Sequence, residues 1–133
     1  MTRYVIDAPT LLALATEDRQ LNPDHQLVAP SSVRFQALAL LFAAVRAGAL
    51  TDAEALRRHD RMTELKMRLL GDRVSRRTAW TIARDQGWES IGDAEYLAVA
   101  RLQADALITV DRGLAARADG VVPVAPFTAL FID

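Results

Sequence analysis

The sequence predicts an α/β domain in which a parallel sheet lies between layers of helices, and three observations predict it. Short runs of β-formers alternate with helix-like segments, the pattern of a parallel sheet covered on both faces. The chain has 133 residues, 51% of them apolar, enough to bury the core of a single domain spanning residues 1–133 without staples. Two of the strand-like runs close on an aspartate, Asp7 and Asp111, which puts acids at the carboxyl edge of the sheet, where ligands of such folds bind.

The elements follow in chain order. Tyr4-Val5-Ile6 reads as a strand, and Pro9 suits the first turn of a helix through Thr10-Leu11-Leu12-Ala13-Leu14. A polar loop from Glu17 to His25 leads to a second strand, Gln26-Leu27-Val28-Ala29, and Pro30-Ser31-Ser32 reads as a helix entry with hydroxyls placed to cap. The helix runs from Val33 to about Ala47. Its segment Ala37 to Val45 is apolar on every side, so it is expected to be buried on most faces or to lie between the sheet and a partner subunit. Gly48 ends it.

Thr51-Asp52-Ala53-Glu54 matches a capping box, opening a helix in which Glu54 with Arg58 and Glu64 with Arg68 are spaced for ion pairs. Leu65 to Leu70 fits either a last helical turn or a third strand, with the strand preferred, and Ser75 is placed to cap a further helix to about Gln86. A loop from Gly87 to Gly92 precedes a helix beginning at Asp93 and reaching Gln103 or Ala104. Ala106 to Val110 is the clearest buried strand. Gly113 to Arg117 reads as a short helix, Val121 to Val124 as an edge strand restricted by Pro123, and Phe127 to Phe131 as a terminal turn.

Composition narrows the chemistry. Absence of cysteine excludes disulfides, a thiol nucleophile and thiolate metal sites. The longest wholly apolar run, Ala37 to Val45, has nine residues, against about 20 for a membrane span. No signal-peptide pattern follows Met1-Thr2-Arg3, and a cytoplasmic location is the expectation. The net charge of −1 announces no global field for nucleic acid, so such binding depends on where the arginines stand.

Asp7 and Asp111 each follow a strand, and Asp93 opens the helix that leads into the strand ending at Asp111. Carboxylates brought together raise one another's pKa unless a cation neutralises them. Oxygen ligands without cysteine or paired histidines favour Mg²⁺ or Mn²⁺, the ions of metal-assisted phosphodiester hydrolysis. Taken singly, each acid has a plainer reading: Asp93 as the acidic half of a capping box begun by Ser90, Asp7 and Asp111 as turn residues. Taken together, they favour the metal.

Tyr4-Val5-Ile6-Asp7 followed by a helix, then Asp93-Ala94-Glu95-Tyr96-Leu97-Ala98-Val99-Ala100, then Leu107-Ile108-Thr109-Val110-Asp111-Arg112, resemble in order and separation the acidic motifs of PIN domains, and among these the VapC toxin group. The resemblance covers nearly the whole chain. It implies a three-layer fold with a central parallel sheet and a Mg²⁺- or Mn²⁺-dependent endoribonuclease, usually a homodimer held inactive by a cognate antitoxin. Asp7, Asp93 and Asp111 take the metal-ligand roles, and Thr109 supplies the hydroxyl that accompanies the last acid.

The resemblance fails at one acid. Where the family has a glutamate early in the second long helix, this chain has Gln36, and no Asp or Glu occurs between Asp24 and Asp52. Glutamine retains a carbonyl oxygen but removes a negative charge, so weakened metal binding is expected. The alternative function follows: a PIN-like dimerising or binding module with reduced or no catalysis. Pro9 is a further departure, standing where the family often has serine, with Thr10 as the nearby hydroxyl. A phosphoacceptor domain also places acids at strand ends, but it needs a late lysine and the last here is Lys66.

Other polar residues receive plainer assignments. Glu95, about 200° around the helix from Asp93, is expected to face away from the metal. His25 and His59 read as solvated surface residues. Arg57, Arg58, Arg61, Arg68, Arg73, Arg76, Arg77 and Arg84 either flank an RNA groove or form solvated helix pairs, the latter preferred for most of them, while Arg112 is the basic residue expected near a scissile phosphate. Trp80 and Trp88 read as core or interface in preference to base-stacking residues.

Overall fold

The computed structural model describes residues 1–132. Its first strand, β1 (Thr2–Ile6), enters the core with Val5 and Ile6 fully buried, and Asp7 then ends the strand and begins α1 (Ala8–Ala15). The Asp7 carboxylate caps this helix by accepting from Thr10 N, and Pro9 occupies its first turn, where a missing N–H costs nothing. β2 (His25–Pro30), α2 (Val33–Arg46), α3 (Asp52–Glu64), β3 (Arg68–Leu70), α4 (Arg73–Gln86), α5 (Gly92–Gln103), β4 (Ala106–Ile108) and α6 (Arg112–Ala118) follow, with a 3₁₀ turn at Phe127–Leu130.

The four strands are parallel and ordered β3-β2-β1-β4. The chain winds outward from β1 through β2 to β3, then returns by α4 and α5 to lay β4 on the other side of β1. Strand order therefore reverses between β1 and β4, the kind of switch point beyond whose carboxyl ends ligands of open α/β sheets bind. Val5 pairs with Leu107 and Ile6 with Ile108, so Asp7 and Thr109 leave neighbouring strands at the same level. Helices α1, α2 and α3 pack on one another as one layer, while α5 lies across β1, β2 and β4 and carries α4. The α/β architecture with a central parallel sheet is as expected.

Several local expectations are corrected. Helix α2 is not buried on most faces: only Val33, Ala37 and Leu41 are buried, spaced four apart on one stripe, whereas Phe35 and Phe42 are 75% and 67% exposed. An all-apolar surface does not need to be all-buried when a helix has just one neighbouring layer. Ser32 precedes α2 without capping it by its side chain. The cap of α4 is Asp72, with Ser75 three residues on completing a reciprocal capping box. The capping box of α3 forms as expected, but the Glu54–Arg58 and Glu64–Arg68 pairs do not. Glu54 is engaged by the Thr51 N–H, and the helix stops at Glu64, leaving Arg68 in β3.

The expected strand at Val121 to Val124 reduces to an isolated parallel bridge between Val124 and Leu107. β4 itself is shorter than expected: it ends at Ile108, and the Val110 N–H donates to the Thr10 hydroxyl and not to a neighbouring strand. His25 is no solvated loop residue: it begins β2, packs its ring edge-on against Tyr4, and has a buried, unpartnered Nδ1. Where β3 turns into α4, a Cβ on Gly71 would stand 2.6 Å from Ser31 Oγ, so a larger residue there would make that exposed hydroxyl rotate away. Among the described residues no helix is long and apolar enough to cross a membrane.

Candidate active site

Asp7 is the central residue of the β1–β4 switch point. Its side chain is only 2% exposed, and each of its oxygens is occupied. One accepts from the Thr10 hydroxyl and the Thr10 N–H, the other from Thr109 Oγ1 at 2.7 Å. Both threonines also accept from the loop after β4: Val110 N donates to Thr10 Oγ1 and Asp111 N to Thr109 Oγ1, each at 3.0 Å. The carboxylate thus organises the backbone that presents Asp111. Burial pushes the Asp7 carboxyl above its ordinary pKa, and the hydrogen bonds from Thr10 and Thr109 oppose that rise.

Asp111 caps α6, its Oδ1 accepting from Gly113 N at 2.9 Å. Asp93, in the first turn of α5, is paired with Arg117 of α6 at 3.0 Å, and the Arg117 guanidinium also lies 5.2 Å above the Trp88 ring. Asp93 is therefore held by a cation of the chain itself.

Gln36 stands inside this site. Its side-chain carbonyl accepts from the Tyr96 hydroxyl, and its amide donates to Ser32 Oγ at 3.3 Å. Ser32 in turn donates to Glu95 at 3.0 Å. The Tyr96 phenol is raised above its ordinary pKa first by burial and then by the negative charges of Asp7, Glu95 and Asp93, so it remains a neutral donor between the first aspartate and Gln36. Glu95 is held half-buried against the start of α2 by Ser32.

Tyr96, Ser32 and Arg117 were not among the sequence-predicted site residues. Tyr96 lies three residues after Asp93, on the same helix face, a spacing that could have found it. Arg112, the expected phosphate contact, is exposed at the start of α6 and forms no ion pair among the described residues.

No protein-family model and no curated protein matches the sequence. Solved structures do. A crystal structure of PAE2754 from Pyrobaculum aerophilum superposes with a TM-score of 0.76 at 25% identity, covering 97% of this chain and 92% of that one. The structure of VapBC-1 from nontypeable Haemophilus influenzae matches with a TM-score of 0.56 at 20% identity, covering 95% and 98%. The chain has the PIN-domain fold.

Within this PIN fold the donors suit a hard divalent cation: carboxylates, a threonine hydroxyl and an amide carbonyl, with no cysteine. The fit lies in donor chemistry and shared placement at the edge. Among the described residues no three acidic or histidine side chains are gathered closely enough to hold a metal ion, Asp93 being turned to Arg117 and Asp111 to its helix cap.

Proposed function

We propose that this PIN domain is a divalent-metal-dependent endoribonuclease of the VapC type. The observation that carries the reading is the convergence of Asp7, Thr109 and Asp111 at the β1–β4 switch point, where backbone and hydroxyl hydrogen bonds fix the last acid relative to the first. Asp7, Asp93 and Asp111 are the residues that would hold Mg²⁺ or Mn²⁺, with Gln36 contributing a carbonyl oxygen at most. Such an ion, when bound, polarises a phosphate and makes a bound water a better nucleophile. Thr10 and Thr109 keep the Asp7 carboxylate in one orientation, and Tyr96 fixes the amide plane of Gln36. The substrate is RNA, and Arg112, exposed beside Asp111, is the proposed phosphate contact.

By likeness to VapBC-1, a cognate antitoxin is the proposed partner, and the exposed aromatic face of α2 supports a protein partner or a homodimer covering it. A cytoplasmic location accords with this setting.

A second reading is favoured by Gln36 and by the Arg117–Asp93 pair: a PIN domain in which catalysis is weakened and binding is the function. The deciding experiment is cleavage of structured RNA in Mn²⁺ or Mg²⁺ by wild type and Asp7→Asn. Metal-dependent cleavage lost in the variant supports the nuclease. Equal activity in both defeats the assignment of Asp7, and no cleavage by either leaves the binding module.

A further inference from the structure

Helix α4 turns a basic and aromatic face outward. Arg73, Arg76, Arg77, Trp80, Thr81 and Arg84 line an open groove of about 530 Å³. Their spacing of three and four residues brings them onto one side of the helix, over a length of about 16 Å from Arg73 to Arg84. Trp80 is 66% exposed, which excludes the core half of its core-or-interface expectation. The arginines were expected to be spent on neighbouring acids. Among the described residues Arg73, Arg76 and Arg77 form no ion pair, and only Arg84 does, with the adjacent Asp85. Asp72, at the helix cap, is engaged by Ser75 while feeling the charge of Arg76. Arg101 of α5 borders the groove that continues past Arg73 and Arg77.

We propose that this face of α4 is a binding platform for single-stranded RNA, with the arginines contacting phosphates and Trp80 stacking on a base. A row of guanidinium groups matches a polyanion and repels the basic surface of a second copy of the same face. A large exposed aromatic among the charges offers stacking that any base can use, which is the combination by which single strands are held without sequence readout. α4 leads through the short segment Gly87–Ile91 into α5, whose first turn carries Asp93, so the Arg84 end of the face is the one joined to the helix that bears an acid of the site. The inference deepens the ribonuclease reading by naming where the substrate lies, and it rests on RNA as the ligand but not on cleavage.

The test is fluorescence anisotropy of a short fluorescein-labelled oligouridylate with the full chain in EDTA, where binding is read without hydrolysis. Wild type should bind with a salt dependence that Arg73→Ala/Arg77→Ala reduces by about 1.4 in slope, from about 0.7 per single-strand phosphate contact. Trp80→Ala should weaken binding by about fivefold to a hundredfold, with Trp80→Phe recovering much of it. All substitutions are on the exposed face of a capped helix, and unchanged melting temperatures verify folding. Absence of binding by wild type, or equal binding by the variants, overturns the proposal. So does a change from dimer to monomer in Trp80→Ala with RNA affinity unaltered, which would assign the face to a second copy. RNA binding retained in a chain that cleaves nothing would defeat the nuclease reading and leave the platform standing.

Discussion

The Tyr96 hydroxyl donates to the side-chain carbonyl of Gln36, joining the helix that carries Asp93 to the helix in which the family's acid is missing. A glutamate at the same position would accept the same bond. Gln36→Glu is therefore expected to fold normally and to bind Mn²⁺ more tightly than wild type. A metal present at a hundredfold its Kd adds about 2.7 kcal/mol, so melting temperature measured against Mn²⁺ concentration should rise further in the variant. Superimposable titrations would show that position 36 does not limit metal binding.

The Asp93–Arg117 pair is half-exposed, and such pairs contribute at most about 1 kcal/mol. Arg117→Met should cost little stability while releasing Asp93 for a cation, lowering the Mn²⁺ concentration needed for a given thermal shift. Asp93→Asn should instead diminish that shift. If Arg117→Met leaves the metal response unchanged, the guanidinium is not competing for the carboxylate.

Asp7 sets a pH dependence whose sign can be worked out. Burial raises its folded pKa above the unfolded value, so its contribution favours the folded state below the unfolded pKa and is lost as pH rises through the folded one. Asp7→Asn has no such titration. The melting temperature of the variant relative to wild type should increase from mildly acidic to neutral pH in metal-free buffer. A relative stability that stays flat or falls over that range contradicts the assignment of desolvation as the dominant effect.

The two hydroxyls on Asp7 are unequal. Thr10 is fully buried and bridges Asp7 to Val110 N, while Thr109 is half-buried and bridges it to Asp111 N. Thr10→Val should cost about 2–3 kcal/mol and Thr109→Val about 1 kcal/mol, since leaving a more deeply buried polar partner unsatisfied costs more. Urea unfolding gives both numbers, and a reversed order would count against the burial argument.

Much of the fold was legible in the chain because its signals are local. Tyr4-Val5-Ile6 and Ala106-Leu107-Ile108 are β-forming runs that end in polar turns, and both acids fall at the edge such runs predict. The capping box at Thr51 is likewise a short-range pattern. What was not legible depends on partners far away in sequence. Ser32 has the look of a helix cap, but its hydroxyl is claimed by Glu95, 63 positions on. Arg117 sits on a short helix with nothing nearby to mark it as the partner of Asp93. The apolar run in α2 indicated burial correctly for one stripe and incorrectly for Phe35 and Phe42, because composition does not say how many sides of a helix a fold covers.

The bond from Thr109 to Asp7 closes a loop between positions 102 residues apart, and the one from Val110 to Thr10 closes another of 100. Chain synthesis proceeds from the N-terminus, so Asp7 is made before its partners and waits until β4 and the turn after it, about a hundred residues later, have emerged. A ribosome translating this message carries no assembled centre at any point before β4 docks beside β1. The order of the topology withholds the assembled Asp7–Thr109 edge until β4 has been made.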